Sequence, residues 1–160
     1  PDARKNVTEL FALDYLMMNI DRHMKNFGII RNAETLEWEK TTPIFDTGQS
    51  MQCNEFTEVL NFHRGICKFF TNTNKDFDKM LDTLGDGLLD IPVENLDGIS
   101  DEYFEMLKTY QNVLNISDER VSKLVDGLEI RINKLTDKID DLKKDYLVSD
   151  NINKKRNWTI

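Results

Sequence analysis

Covalent crosslinks have almost nothing to work with in this chain. Of its 160 residues two are cysteine, Cys53 and Cys67, and two are histidine, His23 and His63. A single cysteine pair builds no disulfide framework, and the two do not form a Cys-x-x-Cys knuckle. His63 and Cys67 are four apart, with only Cys53 or His23 to complete a metal set, so the expectation is a packed thiol and a surface imidazole. No apolar run approaches the ~18 residues that a membrane span needs, and no secretory leader is recognisable. A cytoplasmic chain without a membrane partner is expected. An excess of positive charge is missing too. Lys and Arg number 21 against 29 Asp and Glu, a net charge of −8. That balance excludes a broad phosphate-backbone interface, and the Lys154-Lys155-Arg156 run is too short to reverse it, so no direct nucleic-acid contact is expected.

Glycine-rich nucleotide loops are also lacking. Gly85-Asp86-Gly87 continues into Leu88-Leu89-Asp90 with no third glycine. The stretch from Asp82 to Glu94 is not a calcium loop, because Leu84 and Val93 stand where oxygen ligands belong. What is present is an ordinary folded composition, 39% apolar and 31% charged, enough for one domain with a modest core. Residues 1–149 are assigned to that domain and 150–160 to a polar C-terminal tail. The chain opens on Pro1 with helix-like sequence almost at once, and the expectation is a piece of a longer protein.

Thr8 to Ile20 is rich in Leu, Phe, Met, Tyr and Ala, with neither Gly nor Pro, and predicts a buried helix. Phe27–Arg31 and Leu36–Lys40 predict two short strands joined by the polar turn Asn32-Ala33-Glu34-Thr35, a hairpin ended by Pro43. Between Cys53 and Asn74 the residues Val59, Phe62, Ile66, Phe69 and Phe70 recur at roughly helical spacing, although Gly65 interrupts them. A short helix over Asp76–Leu84 is expected to stop at Gly85-Asp86-Gly87, and Val93–Leu96 to add one turn. Ser100 is the expected cap of a helix reaching about Val113. Ser117 caps the longest helix, to about Leu147. Its residues Val121, Val125, Leu128, Ile132, Leu135, Ile139, Leu142 and Tyr146 alternate four and three apart, a heptad seam.

Two small acidic signals carry the chemistry. Asp21-Arg22-His23-Met24-Lys25-Asn26 places an Asn five residues after an Asp, and Asp46-Thr47-Gly48 follows the hairpin. The same order, loop Asp, Asn at the fifth following position, then Asp-x-Gly, marks the catalytic half of protein kinases. Phosphoryl transfer asks for positioning and charge control. Asp21 suits the general base that takes the proton of the attacking hydroxyl. Magnesium takes one or two carboxylates beside phosphate oxygens and water, which fits Asp46 with the neutral amide oxygen of Asn26. His23, two past the base, is expected to contact the γ-phosphate of ATP or to brace Asp21. Arg22 and Lys25 are candidates to neutralise phosphate or to pair with acids. The fold expected is therefore mainly α: a kinase-like C-terminal lobe, a helical bundle with one short β-hairpin between the catalytic loop and the metal-binding Asp46.

The stretch Asn19-Ile20-Asp21-Arg22-His23-Met24-Lys25-Asn26-Phe27-Gly28 resembles the catalytic loop of HipA-like bacterial serine/threonine kinases, whose metal-binding Asp follows an aromatic residue as Asp46 follows Phe45. The likeness covers Leu10 to Gln49. It implies Asp21 as general base, Asn26 and Asp46 as magnesium ligands, and His23 as a phosphate-side contact. Phosphoinositide kinases share an Asp-Arg-His-x-x-Asn loop, so a lipid-kinase-like ancestry also fits. The Lys25-Asn26-Phe27 ending and the Phe45-Asp46 pair favour the HipA-like side. The implied partners are a Ser/Thr protein substrate and, if the family's toxin–antitoxin biology carries over, an antitoxin-like regulator.

One departure is large. A kinase also needs a nucleotide-gripping N-terminal lobe with a phosphate loop and a strand lysine, and none is written in these residues. Little activity is expected of the segment alone. The competing expectation is a helical interaction module, or a pseudokinase, assembling through the long C-terminal helix.

Overall fold

The computed structural model describes residues 3–68 and 74–156, with the side chains of Ala3 and of residues 149–156 left aside. Four helices and two antiparallel hairpins follow in order: α1 Ala3–Leu16, β1 Ile29–Arg31, β2 Trp38–Thr41, β3 Ile66–Lys68, β4 Asn74–Asp76, α2 Phe77–Leu84, α3 Ile99–Leu114 and α4 Asp118–Arg156. The architecture is mainly helical, as expected, with a second small hairpin beyond the one foreseen.

Helix α1 is buried along its second half, where Leu10, Phe11, Ala12, Asp14, Tyr15 and Leu16 are all below a tenth exposed. It ends four residues before Ile20, and the reason is local. Met18 adopts a left-handed φ of 48°. Its N–H donates to the Tyr15 carbonyl (3.2 Å) and that of Asn19 to the Asp14 carbonyl (2.9 Å). These two bonds make a Schellman closure without the usual glycine. The chain is turned sharply into the segment bearing Asp21.

The β1–β2 hairpin lies close to where the alternation put it. Ile30 pairs with Lys40, and the register slips between Ile30 and Arg31. The Asn32 side chain accepts from the N–H groups of Glu34 (2.8 Å) and Thr35 (2.9 Å), an Asx turn. Helix α2 starts on Asp76, whose carboxylate accepts from the Asp78 N–H at 2.8 Å. Beyond Leu84 the chain does not simply turn away. Gly85–Asp90 continues as a 3-10 segment, and Val93–Leu96 forms another. Helix α3 begins one residue before Ser100, with Gly98 at the cap in a left-handed conformation (φ 79°). Ser117 caps α4 as predicted, its hydroxyl accepting from the Arg120 N–H at 3.1 Å.

The helical spacing between Cys53 and Asn74 does not produce a helix. Among the described residues of this stretch only Thr57–Val59 is helical, as one 3-10 turn, and Ile66 opens strand β3. Phe69 and Phe70 lie outside the described residues. At Gly65 the chain passes close against the core. A side chain at that position would meet the Met18 methyl at 2.5 Å and the Phe77 ring at 3.1 Å, and its carbonyl accepts from Phe77. Cys67 in the same strand is buried in the core. Burial, and then the nearby Asp14 charge, pushes its thiol up to about 12. Because an unfolded thiol ionises near 9, deprotonation favours the unfolded chain, so Cys67's contribution to stability is lost as pH rises from about 9 toward 12. Thiol titration at pH 8 is expected to count one reactive group in the native protein, exposed Cys53, and two in denaturant. Two equally fast thiols in the native protein would contradict the burial of Cys67.

Helix α4 spans 39 residues, roughly 58 Å at the standard rise. Its seam faces this same chain. Val121, Leu128, Leu135 and Ile139 are buried, and Val125, Ile132 and Leu142 pack against the core from its rim. Leu124 and Arg131 are buried as well, which widens the stripe beyond a strict coiled-coil seam. Tyr146 is exposed, and the helix runs on to Arg156, past the boundary at 149.

Two residues one turn apart fix α4 to the rest. At Gly127 an added Cβ would lie 2.3 Å from the Phe62 ring. Arg131 stacks its guanidinium 3.5 Å from the Tyr15 ring centroid and 5.0 Å from that of Phe77, and its Nε donates to the Tyr15 carbonyl at 3.0 Å. Burial lowers the pKa of this arginine. Alanine ordinarily stabilises a helix over glycine by about 1 kcal/mol. Here Gly127→Ala is expected to lower the melting temperature, because displacing Phe62 costs about 1–3 kcal/mol. A rise in melting temperature would mean that Phe62 moves aside freely.

Candidate active site

Asp14 sits within an apolar helix face, and a carboxylate there demands a partner. Arg22 provides it. Its Nε donates to Asp14 Oδ2 (2.7 Å) and its Nη2 to Oδ1 (2.9 Å), with both side chains 1% exposed. The remaining Nη1 donates to two backbone carbonyls, Asn26 at 2.6 Å and Phe45 at 2.8 Å. One guanidinium thus ties the end of the Asp21 loop to the residue before Asp46. Asn19 completes the brace. Its amide donates to Asp14 (2.9 Å) and its oxygen accepts from the Asp21 N–H (3.2 Å).

Asp46 is held from its other side as well. Three residues on, the Gln49 carbonyl accepts from the Ile20 N–H at 3.2 Å, and Met51 donates to the Met17 carbonyl at 2.7 Å. The segment carrying Asp46 is therefore stitched to the Asp21 loop before and after the carboxylate. Asp46 itself takes a left-handed φ of 56° and is exposed. Such backbone strain in a non-glycine residue persists only where surrounding bonds impose it.

Asn26 is 4% exposed and donates its amide nitrogen to the Asp21 carbonyl at 3.0 Å. With the nitrogen committed, the oxygen is the atom a cation would use. Asp21 carries its carboxylate between Lys68 and His23. Lys68 Nζ lies 2.6 Å from Oδ1 and His23 Nε2 3.8 Å from Oδ2. At that distance His23 flanks Asp21 without a hydrogen bond; its Nδ1 accepts from the Lys25 N–H at 3.3 Å.

Two depressions adjoin these residues. Asp21, Gln49, Lys68 and Asn74 line one of about 340 Å³, and Asn26, Gly28, Lys40 and Thr42 line another of about 270 Å³. Asp46 lines neither. Among the described residues no three His, Cys, Asp or Glu side chains group as a metal cage. Asn26 stands at the second depression, and Asp46 presents an exposed carboxylate outside both.

Lys68, Asp14 and Asn19 were not among the residues singled out from the sequence. Asp14 had a signal, a charge within an otherwise apolar helix. Of the two roles open to Arg22, neutralising phosphate or pairing with acids, the structure shows the second: it pairs with Asp14 and also donates to two carbonyls. Lys68 had no signal, since it reaches Asp21 across 47 positions from a three-residue strand. Compared with family models, curated proteins and solved structures, the chain finds no match.

Proposed function

We propose that these residues form the catalytic lobe of an ATP- and magnesium-dependent serine/threonine protein kinase of the HipA-like type. The observation that carries the reading is the Arg22 guanidinium, which joins the carbonyl of Asn26 to that of Phe45 and so couples the loop of Asp21 to the segment of Asp46. Asp21 is the general base toward a protein hydroxyl. Asn26 and Asp46 are the magnesium ligands, and His23 flanks the base. Binding ATP also calls for a nucleotide-gripping lobe, because these residues contain no phosphate loop. A cytoplasmic setting, a Ser/Thr protein acceptor and an antitoxin-like regulator belong to the same proposal.

The test is phosphate transfer from ATP by the full-length protein with magnesium, and its loss in Asp21→Asn and Asp46→Asn. Full activity of the 160-residue segment alone would refute the need for a second lobe. The second reading is an interaction module using the far end of α4, where Tyr146, Leu147 and Val148 are 64%, 62% and 58% exposed. Against it stands the seam from Val121 to Leu142, already packed within this chain. A pseudokinase fits less well, since Asp21, Asn26 and Asp46 are all present.

A further inference from the structure

The ion pair between Lys68 and Asp21 differs in kind from the one between Arg22 and Asp14. The buried pair is 1% exposed on both sides and holds the fold. Lys68 and Asp21 are 44% and 32% exposed, too open for their attraction to add much stability. Yet the lysine is carefully placed. Its own N–H donates to the Ile20 carbonyl at 2.9 Å, next to Asp21, and β3 is registered against β4 with Lys68 opposite Asn74. Its ammonium and the Asp21 carboxylate share the wall of the 340 Å³ depression. A solvent-accessible cation fixed beside the base is arranged to meet something that enters.

We infer that Lys68 is a catalytic residue, delivered from strand β3, whose ammonium contacts the phosphoryl group in transit beside Asp21. This rests on the phosphotransferase reading. His23 stands two past Asp21 in the loop, and the ammonium beside the carboxylate comes instead from strand β3. When an acceptor hydroxyl occupies Asp21, its proton passes to the carboxylate as its oxygen bonds to the γ-phosphorus. The bond from that phosphorus to the bridging oxygen breaks, and its electron pair leaves with ADP. Lys68 keeps its proton throughout. It supplies a compact charge against the phosphoryl oxygens, where negative charge is spread in the transition state.

The experiment uses the full-length protein with Mg-ATP and casein, read as ADP release so that transfer to itself, to casein or to water is counted alike. Lys68→Met is expected to lower kcat about 100-fold, the effect of removing one preorganised charge-stabilising contact. The KM for ATP and the melting temperature should stay as in the wild type, and Lys68→Arg should restore part of the rate. A purely structural lysine would move the melting temperature and leave kcat. Turnover by Lys68→Met within about threefold of wild type, or above it, while Asp21→Asn is inactive, overturns the inference and leaves the phosphotransferase reading standing. No ADP release by the wild type, or release unaffected by Asp21→Asn, overturns both.

Discussion

Asp21→Asn in the full-length protein is expected to reduce kcat for phosphate transfer roughly 10²–10⁴-fold, the span that a positioned general base supplies. The substitution keeps the size of the side chain and removes its charge and its capacity to take a proton. Its structural cost is small, because the partner lost is Lys68 across a partly exposed pair, worth at most about 1 kcal/mol. The KM for ATP should therefore hold while kcat falls, the pattern of an interaction made in the transition state. Asp46→Asn differs in kind, since it weakens the cation site, and raising magnesium should recover part of its rate. If Asp21→Asn turned over at a near-normal rate, the base would have to be sought elsewhere.

The second large effect concerns stability. Arg22→Met strands the Asp14 carboxylate in the core with only the Asn19 amide, and leaves the carbonyls of Asn26 and Phe45 without their donor. Breaking a buried pair from one side costs about 3–5 kcal/mol. For a domain of this size that lowers the melting temperature by ~10 °C or more. Asp14→Leu combined with Arg22→Met removes both charges and is expected to regain much of the stability, since apolar replacement of a buried pair is often neutral. Activity should not return with it, because the bond from Arg22 to the Phe45 carbonyl, just before Asp46, is then gone. A single Arg22→Met variant melting within ~2 °C of the wild type would show that this pair does not hold the lobe together.

What the sequence revealed and what it hid divide along the range of the interactions. Ser117 was legible as a cap because the N–H it satisfies lies three residues away. The β1–β2 hairpin was legible because its turn is built from Asn32 and its own neighbours. The end of α1 was not, since a Met at the left-handed position gives none of the warning a glycine would. Strand β3 was hidden for a different reason. Its apolar spacing is equally consistent with a helix, and it is decided by pairing with β4, by the bond from Lys68 to Ile20 and by the space at Gly65. The same division runs through the site. Asp21, Asn26 and Asp46 stood out by spacing, whereas Arg22 as the brace and Lys68 beside the base are assigned only by tertiary distances.

The two fixings of α4, at Gly127 and at Arg131, have a mechanical meaning. Phe62 occupies the notch at one, and the Tyr15 ring lies against the other, a single turn further along. Together they act as a key in a shaft: the rod can neither roll nor slide unless both disengage. Tyr15 lies six positions before Asp21, so the shaft is keyed to the element that sets the reactive carboxylate.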